Sequence, residues 1–291
     1  MSSSSASTSD PAGGPATGSG RLVLVGTPIG NLGDLTPRAV DALAAADLVC
    51  CEDTRRTGRL LQHAGVRAAG LKVVNDHTED GAVDDVLARL GRGETVAVVT
   101  DAGMPGISDP GERLVAAAAA AGFTIEVVPG PSAAITALVA SGLPAGRFAF
   151  EGFLPRKGSG RSERLAAIAH ERRTVVLYEA PHRVERTLAD LVAACGADRR
   201  VVLARELTKL HEEHWRGTLG DAVDHTSEVE PRGEYVLVLD GAPAPAEVTD
   251  DDIVAAIARA KAAGASTRDA VAEAAAELHI PKRRAYDLAN R

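Results

Sequence analysis

The chain has 291 residues, of which 45% are hydrophobic and 25% charged, and its formal net charge at pH 7 is −8. This length and apolar content allow a sizeable buried core and predict two domains. The acidic balance argues against a uniformly basic surface that coats nucleic acid. It is compatible with one basic patch on an acidic body, so a structured RNA stays open as a substrate.

Residues 1–20 are almost entirely Ser, Ala, Gly, Thr and Pro, and this composition predicts a disordered leader. The leader lacks an apolar core flanked by basic residues, and the alanine runs elsewhere are too short to span a membrane. We therefore expect a cytoplasmic protein with no membrane partner. Cys50, Cys51 and Cys195 have no C-x-x-C spacing, so they predict no metal site.

From residue 21 onward, short apolar runs alternate with longer helical segments, which predicts a mostly parallel β-α-β domain over 21–140. Helix starts are expected at Thr36-Pro37, Asp109-Pro110 and Pro131-Ser132. The predicted strands are 21–25, 47–51, 71–75, 95–100 and 124–128.

The pattern changes after a cluster of turn residues at 141–146, and a mixed, partly antiparallel second domain is predicted over 141–241. Its strands are expected near 147–153, 174–178, 199–205, 212–217 and 234–239, with helices near 160–172 and 182–195. A Pro/Ala-rich linker follows Asp240. Residues 247–291 then form a predicted appendage of short helices, for which a helix-turn-helix is one possible shape.

Three Gly/Pro-rich turns each follow a predicted strand: Gly26–Gly33 (first elbow), Asp101–Gly111 (second elbow) and Pro129–Ser132 (third elbow). Ligands of open α/β sheets bind beyond the carboxyl ends of the strands, so three elbows at strand ends predict one cleft. A plain tight turn is the alternative for any single elbow. Neither G-x-G-x-x-G nor G-K-[ST] is present, which argues against dinucleotide and triphosphate sites.

Polar groups follow two further strands. Glu52 and Asp53, with Arg55 close behind, would position a polar substrate or assist proton transfer, or would simply begin a helix with an internal ion pair. Glu179 and His182 occupy a similar place after the strand near 174–178. Each functional interpretation stays open beside its structural alternative.

The segment 152–164 is locally basic, since Glu163 alone opposes the cations Arg156, Lys157, Arg161 and Arg164. Phosphate contact is its functional interpretation, and a solvated charged loop is the alternative. His211 and His214 are three residues apart but lack a third ligand, so we favour salt bridges or loop anchoring over a metal.

Seven segments together resemble the tetrapyrrole-methylase-like superfamily and, within it, the ribosomal RNA small-subunit methyltransferase I family, over roughly residues 21–240. They are Thr27-Pro-Ile-Gly-Asn-Leu-Gly-Asp34, Cys51-Glu-Asp-Thr-Arg55, Ser108-Asp-Pro-Gly111, Pro129-Gly-Pro-Ser-Ala133, Gly152-Phe-Leu-Pro155, Tyr178-Glu-Ala-Pro-His-Arg183 and Ala204-Arg-Glu-Leu-Thr-Lys209. Their order along the chain makes the resemblance specific.

The resemblance implies two α/β domains of the tetrapyrrole methylase type with a cofactor cleft between them, plus a small C-terminal helical appendage. It also implies a homodimer that binds S-adenosylmethionine and methylates the ribose 2′-oxygen of a cytidine in the decoding centre of 16S rRNA, within the small ribosomal subunit. By similarity, the residues expected to line the cofactor are Pro28, Asp101, Ala102, Gly103, Ile107, Ser132, Ala133, Tyr178 and Glu179.

Two departures from the family pattern stand out. Met104-Pro105-Gly106 replaces Thr-Pro-Leu, and Asn75-Asp76-His77 replaces His-Glu-His. Neither removes an elbow glycine, so cofactor binding is still expected, whereas His77 is a poor candidate for catalysis.

Because the sulfonium methyl is already activated, the protein's main task is alignment of the acceptor oxygen. A general base would assist, and the sequence offers four candidates without choosing among them: Glu52, Asp53, Glu179 and His182. The cations expected to hold RNA phosphates are Arg55, Arg156, Lys157 and Arg183. The helical tail is a further docking candidate through Lys282, Arg283 and Arg284.

Three alternatives compete with this interpretation. A tetrapyrrole or other small-molecule methylase would share the elbows, but the basic segment and the helical tail argue against it. A nicotinamide oxidoreductase would share the α/β outline but needs the missing fingerprint. A non-catalytic RNA-binding module would bind no S-adenosylmethionine.

Overall fold

The computed structural model describes residues 20–75, 78–244 and 248–290. The chain divides into two compact units, one ending at Ala242 and the other beginning at Pro243. The predicted leader lies outside the described residues except for Gly20. Both sheets described below belong to the first unit, so the predicted boundary between two domains near residue 141 stays a prediction.

The first sheet is parallel throughout its described pairings and has the strand order β3-β2-β4-β1-β5. Its strands are β1 (Arg21–Val25), β2 (Leu48–Cys51), β3 (Leu71–Val73), β4 (Thr95–Val98) and β5 (Thr124–Val128). The associated helices are α1 (Pro37–Ala44), α2 (Thr54–His63), α3 (Glu79–Gly91), α4 (Glu112–Ala120) and α5 (Ala133–Ser141). All five predicted strands are confirmed, and β1 lies between β4 and β5, so the three elbows leave neighbouring strand ends.

Two of the three predicted helix starts are confirmed. Thr36 caps α1 by accepting a hydrogen bond from the Ala39 amide at 3.1 Å, and Ser132 is the N-cap residue of α5. The start expected at Asp109-Pro110 is wrong, because α4 begins after Gly111. The Gly106 amide donates to the Pro110 carbonyl at 3.0 Å, which closes a loop before the helix can begin.

The second sheet has the order β6-β7-β10-β8-β9, and only its β6–β7 pair is parallel, as predicted for a mixed sheet. Its strands are β6 (Phe148–Phe153), β7 (Thr174–Glu179), β8 (Arg200–Arg205), β9 (Glu213–Thr218) and β10 (Tyr235–Leu239). Its helices are α6 (Ser159–His170), α7 (Pro181–Cys195) and α8 (Leu219–Glu228). Helix α8 was not predicted from the sequence, although Thr218 and Asp221 form a capping box at its start.

One apolar cluster joins the two sheets. Helix α5 leaves the first sheet but buries Ala134, Ala137 and Leu138 against strands of the second sheet, together with Ile29 of the first elbow. This cluster fixes the elbows against the carboxyl end of β7 and the start of β10.

The unit that begins at Pro243 contains three described helices, α9 (Asp250–Ala262), α10 (Thr267–Glu277) and α11 (Lys282–Ala289), around their own small core. This confirms the short helices expected in the appendage. Residues 245–247 of the predicted linker lie outside the described residues. Across the described parts of the chain, no helix combines the length and apolar character needed to cross a bilayer.

Candidate functional site

A cavity of about 450 Å³ opens beyond the carboxyl ends of the first sheet and is walled on its other side by the second sheet. We call it the first cavity. Its wall includes seven of the nine residues expected to line a cofactor: Ala102, Gly103, Ile107, Ser132, Ala133, Tyr178 and Glu179. The remaining two, Pro28 and Asp101, line an adjoining cavity described below.

The three elbows meet at the first cavity through close backbone contact. A Cβ atom on Gly26 would lie 2.6 Å from the Gly130 nitrogen, closer than real Cβ contacts allow, so glycine is required here. Thr27 and Gly103 exchange two backbone hydrogen bonds at 2.8 and 3.1 Å. The single cleft expected from the sequence is therefore formed.

The second elbow is held by a carboxylate that the sequence analysis did not single out. Glu79, at the start of α3, is 3% exposed and accepts hydrogen bonds from the amides of Gly111, Arg113 and Leu114 at 3.0, 3.0 and 3.2 Å. These amides begin α4, so the negative charge also meets the positive end of the helix dipole. No local motif marks Glu79, because its partners lie more than thirty residues away.

The second sheet contributes aromatic side chains to the first cavity. Tyr178, at the end of β7, accepts a hydrogen bond from the Ala134 amide at 3.2 Å, and Phe153 packs edge-on against its ring with the two ring centroids 5.6 Å apart. Burial raises the pKa of Tyr178, so its hydroxyl stays protonated. Tyr235 of β10 lines the same wall.

Two of the four candidate bases hold local structure. Glu52 accepts hydrogen bonds from the Thr100 hydroxyl and, at 3.0 Å, from the Asp101 amide. Asp53 is the N-cap of α2 and pairs with Arg55 at 2.8 Å. The side-chain hydrogen bond from Arg55 holds the pKa of Asp53 well below its usual range. The helix start with an internal ion pair, one of the two interpretations above, is thus present.

The third carboxylate candidate, Glu179, is buried and fully engaged. It accepts hydrogen bonds from the Thr187 hydroxyl at 2.6 Å and the Ala180 amide at 3.0 Å, and pairs with Arg183 at 3.0 Å. Arg183 also donates to the Leu154 carbonyl at 2.6 Å. His182, the fourth candidate, is exposed and lines the first cavity.

A second cavity of about 300 Å³ adjoins the first and shares Ile29, Ala102 and Glu234 with it. Its polar wall includes Asp101, whose carboxylate lies 3.5 Å from Arg56 and accepts a hydrogen bond from the Asp53 amide at 3.3 Å. Burial, followed by the negative charge of Glu52, raises the pKa of Asp101.

The four cations of the basic segment divide into two groups. Arg161 is buried and donates to Asp190, Thr187 and the Pro155 carbonyl, and Arg164 pairs with Glu151. Arg156 and Lys157 are exposed.

A third cavity of about 280 Å³ lies beside the basic segment, and Arg156, His182 and Arg186 line it. Arg186 was not predicted from the sequence, although it lies one helical turn beyond His182 on α7 and therefore on the same face.

One of the two spaced histidines has a carboxylate partner. The His214 ring lies 2.9 Å from Glu212, which fits the predicted salt bridge. Among residues 20–75, 78–244 and 248–290, no group of three or more His, Cys, Asp or Glu side chains is arranged to hold a metal. Asp76 and His77 lie outside the described residues.

Comparison with known proteins decides the family. A model of the tetrapyrrole (corrin/porphyrin) methylases matches residues 21–223. A ribosomal RNA small subunit methyltransferase I from Synechocystis is 45% identical over 271 residues, covering 92% of this chain and 97% of that protein. The chain belongs to the ribosomal RNA small subunit methyltransferase I family. A further relative of that name, from Escherichia coli O157:H7, is 45% identical over 268 residues and covers 91% of this chain and 93% of its own.

Solved structures agree on the fold of this methyltransferase family member. A uroporphyrin-III C-methyltransferase from Thermus thermophilus superposes with a TM-score of 0.54 at 25% identity, covering 76% of this chain and 94% of its own. A cobalt precorrin-4 methyltransferase superposes with a TM-score of 0.55 at 20% identity, covering 77% and 96%. The predicted tetrapyrrole methylase fold and family are confirmed, and the nicotinamide oxidoreductase alternative is set aside.

S-adenosylmethionine is the methyl donor of this family, and the first cavity fits it. Ile29, Met104 and Phe153 provide apolar surface for the adenosine and methylene groups. The glycine elbows leave room for backbone contact with the ligand.

Proposed function

We propose that the enzyme transfers a methyl group from S-adenosylmethionine to the ribose 2′-oxygen of a cytidine in the decoding centre of 16S rRNA. The observation that carries this proposal is the first cavity, built by the three elbows at the strand ends, in a chain that is 45% identical to curated ribosomal RNA small subunit methyltransferases I. The nucleotide and the acceptor atom come from the family resemblance. An rRNA substrate also supports a cytoplasmic location.

The reaction depends on how the protein aligns the methyl donor with the acceptor more than on activation of a bond. When bound, the cofactor supplies a methyl group that is already electrophilic. The chain's own residues then have to hold donor and acceptor in line and keep water out. Apolar side chains from both sheets, such as Ile29, Phe153 and Tyr235, are placed to do this around the first cavity.

We also propose that Arg156 and Lys157 hold RNA phosphates. Their side chains are exposed, and Arg156 shares the third cavity with His182 and Arg186 beside the first cavity. Arg55 and Arg183 are less available, because Asp53 and Glu179 pair with them. Phosphate contacts of this kind fix the register of the RNA rather than read its sequence.

We further propose a homodimer, as the resemblance implies. Helix α5 supports it, since Ile135 and Val139 lie one turn apart on its outer face and are 45% and 69% exposed. A second copy would cover this apolar strip. Sedimentation equilibrium of the wild type should give twice the chain mass, and Val139→Glu should shift the protein to the monomer.

The function is tested by incubating the protein with purified small ribosomal subunits and S-adenosylmethionine labelled in its methyl group. Label in the RNA is the expected result. A protein that binds the cofactor but labels only a tetrapyrrole would favour the small-molecule alternative, and one that binds no cofactor would favour the RNA-binding module.

A further inference from the structure

The second cavity is a separate part of the site, and no ligand has yet been assigned to it. It adjoins the first cavity along Ile29, Ala102 and Glu234, so a molecule in one would touch a molecule in the other. Its volume of about 300 Å³ is at the small end of the range for ligand pockets.

Its walls have the chemistry of a ribonucleotide site. Pro28, Leu32 and Leu60 provide an apolar surface against which a base or sugar can pack. Arg56 and Arg59, one turn apart on α2, stand at the same cavity, and their side chains are exposed. Within the described residues Arg59 makes no ion pair, so its charge is available to a phosphate.

Asp101 is the carboxylate of the second cavity that can still accept further hydrogen bonds. One oxygen accepts from the Asp53 amide at 3.3 Å, and the other lies 3.5 Å from Arg56, too far for a strong hydrogen bond. Glu52 does not line the second cavity, and one of its oxygens accepts from the Thr100 hydroxyl and the Asp101 amide. The other acidic residue that lines the second cavity, Glu234, forms an ion pair with Lys209 at 2.9 Å.

We propose that the second cavity binds the target nucleotide of the RNA, turned out of its helix, and that Asp101 is the general base for its 2′-hydroxyl. This inference rests on the proposed function and assigns Asp101 to the acceptor rather than to the cofactor. Arg56 and Arg59 hold the adjoining phosphates.

The proton balance of the step is simple. Asp101 takes the hydroxyl proton as the 2′-oxygen bonds to the methyl carbon and the carbon–sulfur bond breaks, with its electron pair left on sulfur. The proton then leaves Asp101 for water. The base works only when ionised, and the groups that set its charge are Glu52, Asp53 and Arg56. Its raised pKa makes it a better proton acceptor than an ordinary aspartate.

The first test replaces the base with an isosteric amide. Asp101→Asn should lower kcat for methylation of small subunits by about 10²–10⁴-fold, the usual contribution of a general base. Its calorimetric affinity for S-adenosylmethionine and its affinity for the subunit should stay within about twofold of wild type. Asp41→Asn, an exposed change on α1, is the control and should leave all three quantities unchanged.

The second test places a larger side chain in the second cavity. Leu32 is 43% exposed at its rim, so a larger side chain there should not disturb folding. Leu32→Trp should weaken binding of the RNA and lower kcat/KM, with cofactor affinity retained. Val229→Trp, at a 52% exposed position that lines none of the three cavities, is the control and should behave as wild type.

The outcomes separate the two proposals. If the wild type is active and Asp101→Asn is equally active, or Leu32→Trp is unaffected, the assignment of the second cavity to the target nucleotide is overturned and the proposed function stands. Loss of cofactor affinity in Asp101→Asn would also overturn that assignment, because Asp101 would then be a cofactor-binding residue. Absence of methyl transfer to the subunit by the wild type would overturn the proposed function and this inference together.

Discussion

The two sheets build the first cavity in different ways. The parallel sheet supplies backbone: its elbows approach so closely that Gly26 and Gly130 have no room for a side chain. The mixed sheet supplies side chains, among them Phe153, Tyr178 and Tyr235. Changes to the glycine elbows should therefore abolish cofactor binding outright, whereas changes to the side chains of the mixed sheet should weaken it in proportion to the atoms removed.

Gly26→Ala should give the largest effect and is the sharpest test of the backbone side. The added Cβ would lie 2.6 Å from the Gly130 nitrogen and 2.7 Å from the Met104 sulfur, so the elbows must separate. We expect a loss of about 3 kcal/mol of stability and no measurable cofactor binding, checked by denaturant unfolding and calorimetry. Gly81→Ala on α3 is the control, because its Cβ would meet nothing within 4 Å. Binding by Gly26→Ala as tight as by the wild type would refute the close-contact argument.

Glu79→Gln should come next, because it removes the charge that holds the second elbow while keeping the side chain's size. Loss of charged hydrogen bonds to the buried amides at Gly111 and Leu114 should cost about 2 kcal/mol. Cofactor affinity should fall with it, measured by calorimetry below the unfolding temperature. The exposed Glu273→Gln in the helical unit provides the control. Unchanged stability would mean that the elbow holds its shape without Glu79.

Tyr178→Phe tests the side-chain side and should have a milder effect. It removes only the hydroxyl that accepts the Ala134 amide at 3.2 Å, a loss of about 1 kcal/mol. Cofactor affinity should fall no more than about tenfold, with the fold intact by circular dichroism. Tyr286→Phe, at an exposed position, should change nothing. If Tyr178→Phe lost as much stability and cofactor binding as Gly26→Ala, the proposed difference between the two sheets would be wrong.

Arg156→Ala combined with Lys157→Ala should have the smallest effect and should spare the cofactor altogether. RNA affinity should weaken, and the slope of its logarithm against salt concentration should fall by about 2, one for each lost phosphate contact. The double change Arg147→Ala and Arg172→Ala removes the same charge from other exposed positions and is the control. Equal slopes for both double variants would show that the basic segment does not touch the RNA.

The sequence predicts the parallel sheet well because each of its signals is local. An apolar run followed by Gly and Pro marks a strand end, and Thr36-Pro37 marks a helix start by residue type alone. The start at Asp109-Pro110 fails because Gly106 and Pro110 close a loop that no local rule distinguishes from a helix cap.

What the sequence misses depends on partners far along the chain. Glu79 meets the start of α4 only because the sheet order brings α3 beside it. Tyr235 reaches the first cavity only because β10 pairs with β7. Likewise, Glu179 is as good a candidate base as any strand-end acid until Arg183 and Thr187 are seen to surround it.

Mapping the methylated nucleotide would establish both the acceptor atom and its place in the RNA. Small ribosomal subunits that lack the modification would be incubated with the enzyme and labelled S-adenosylmethionine, and the RNA digested with nuclease and analysed by mass spectrometry. A single 2′-O-methylcytidine in the decoding centre is the expected result. Label on a base, on another nucleotide or on no RNA at all would contradict it.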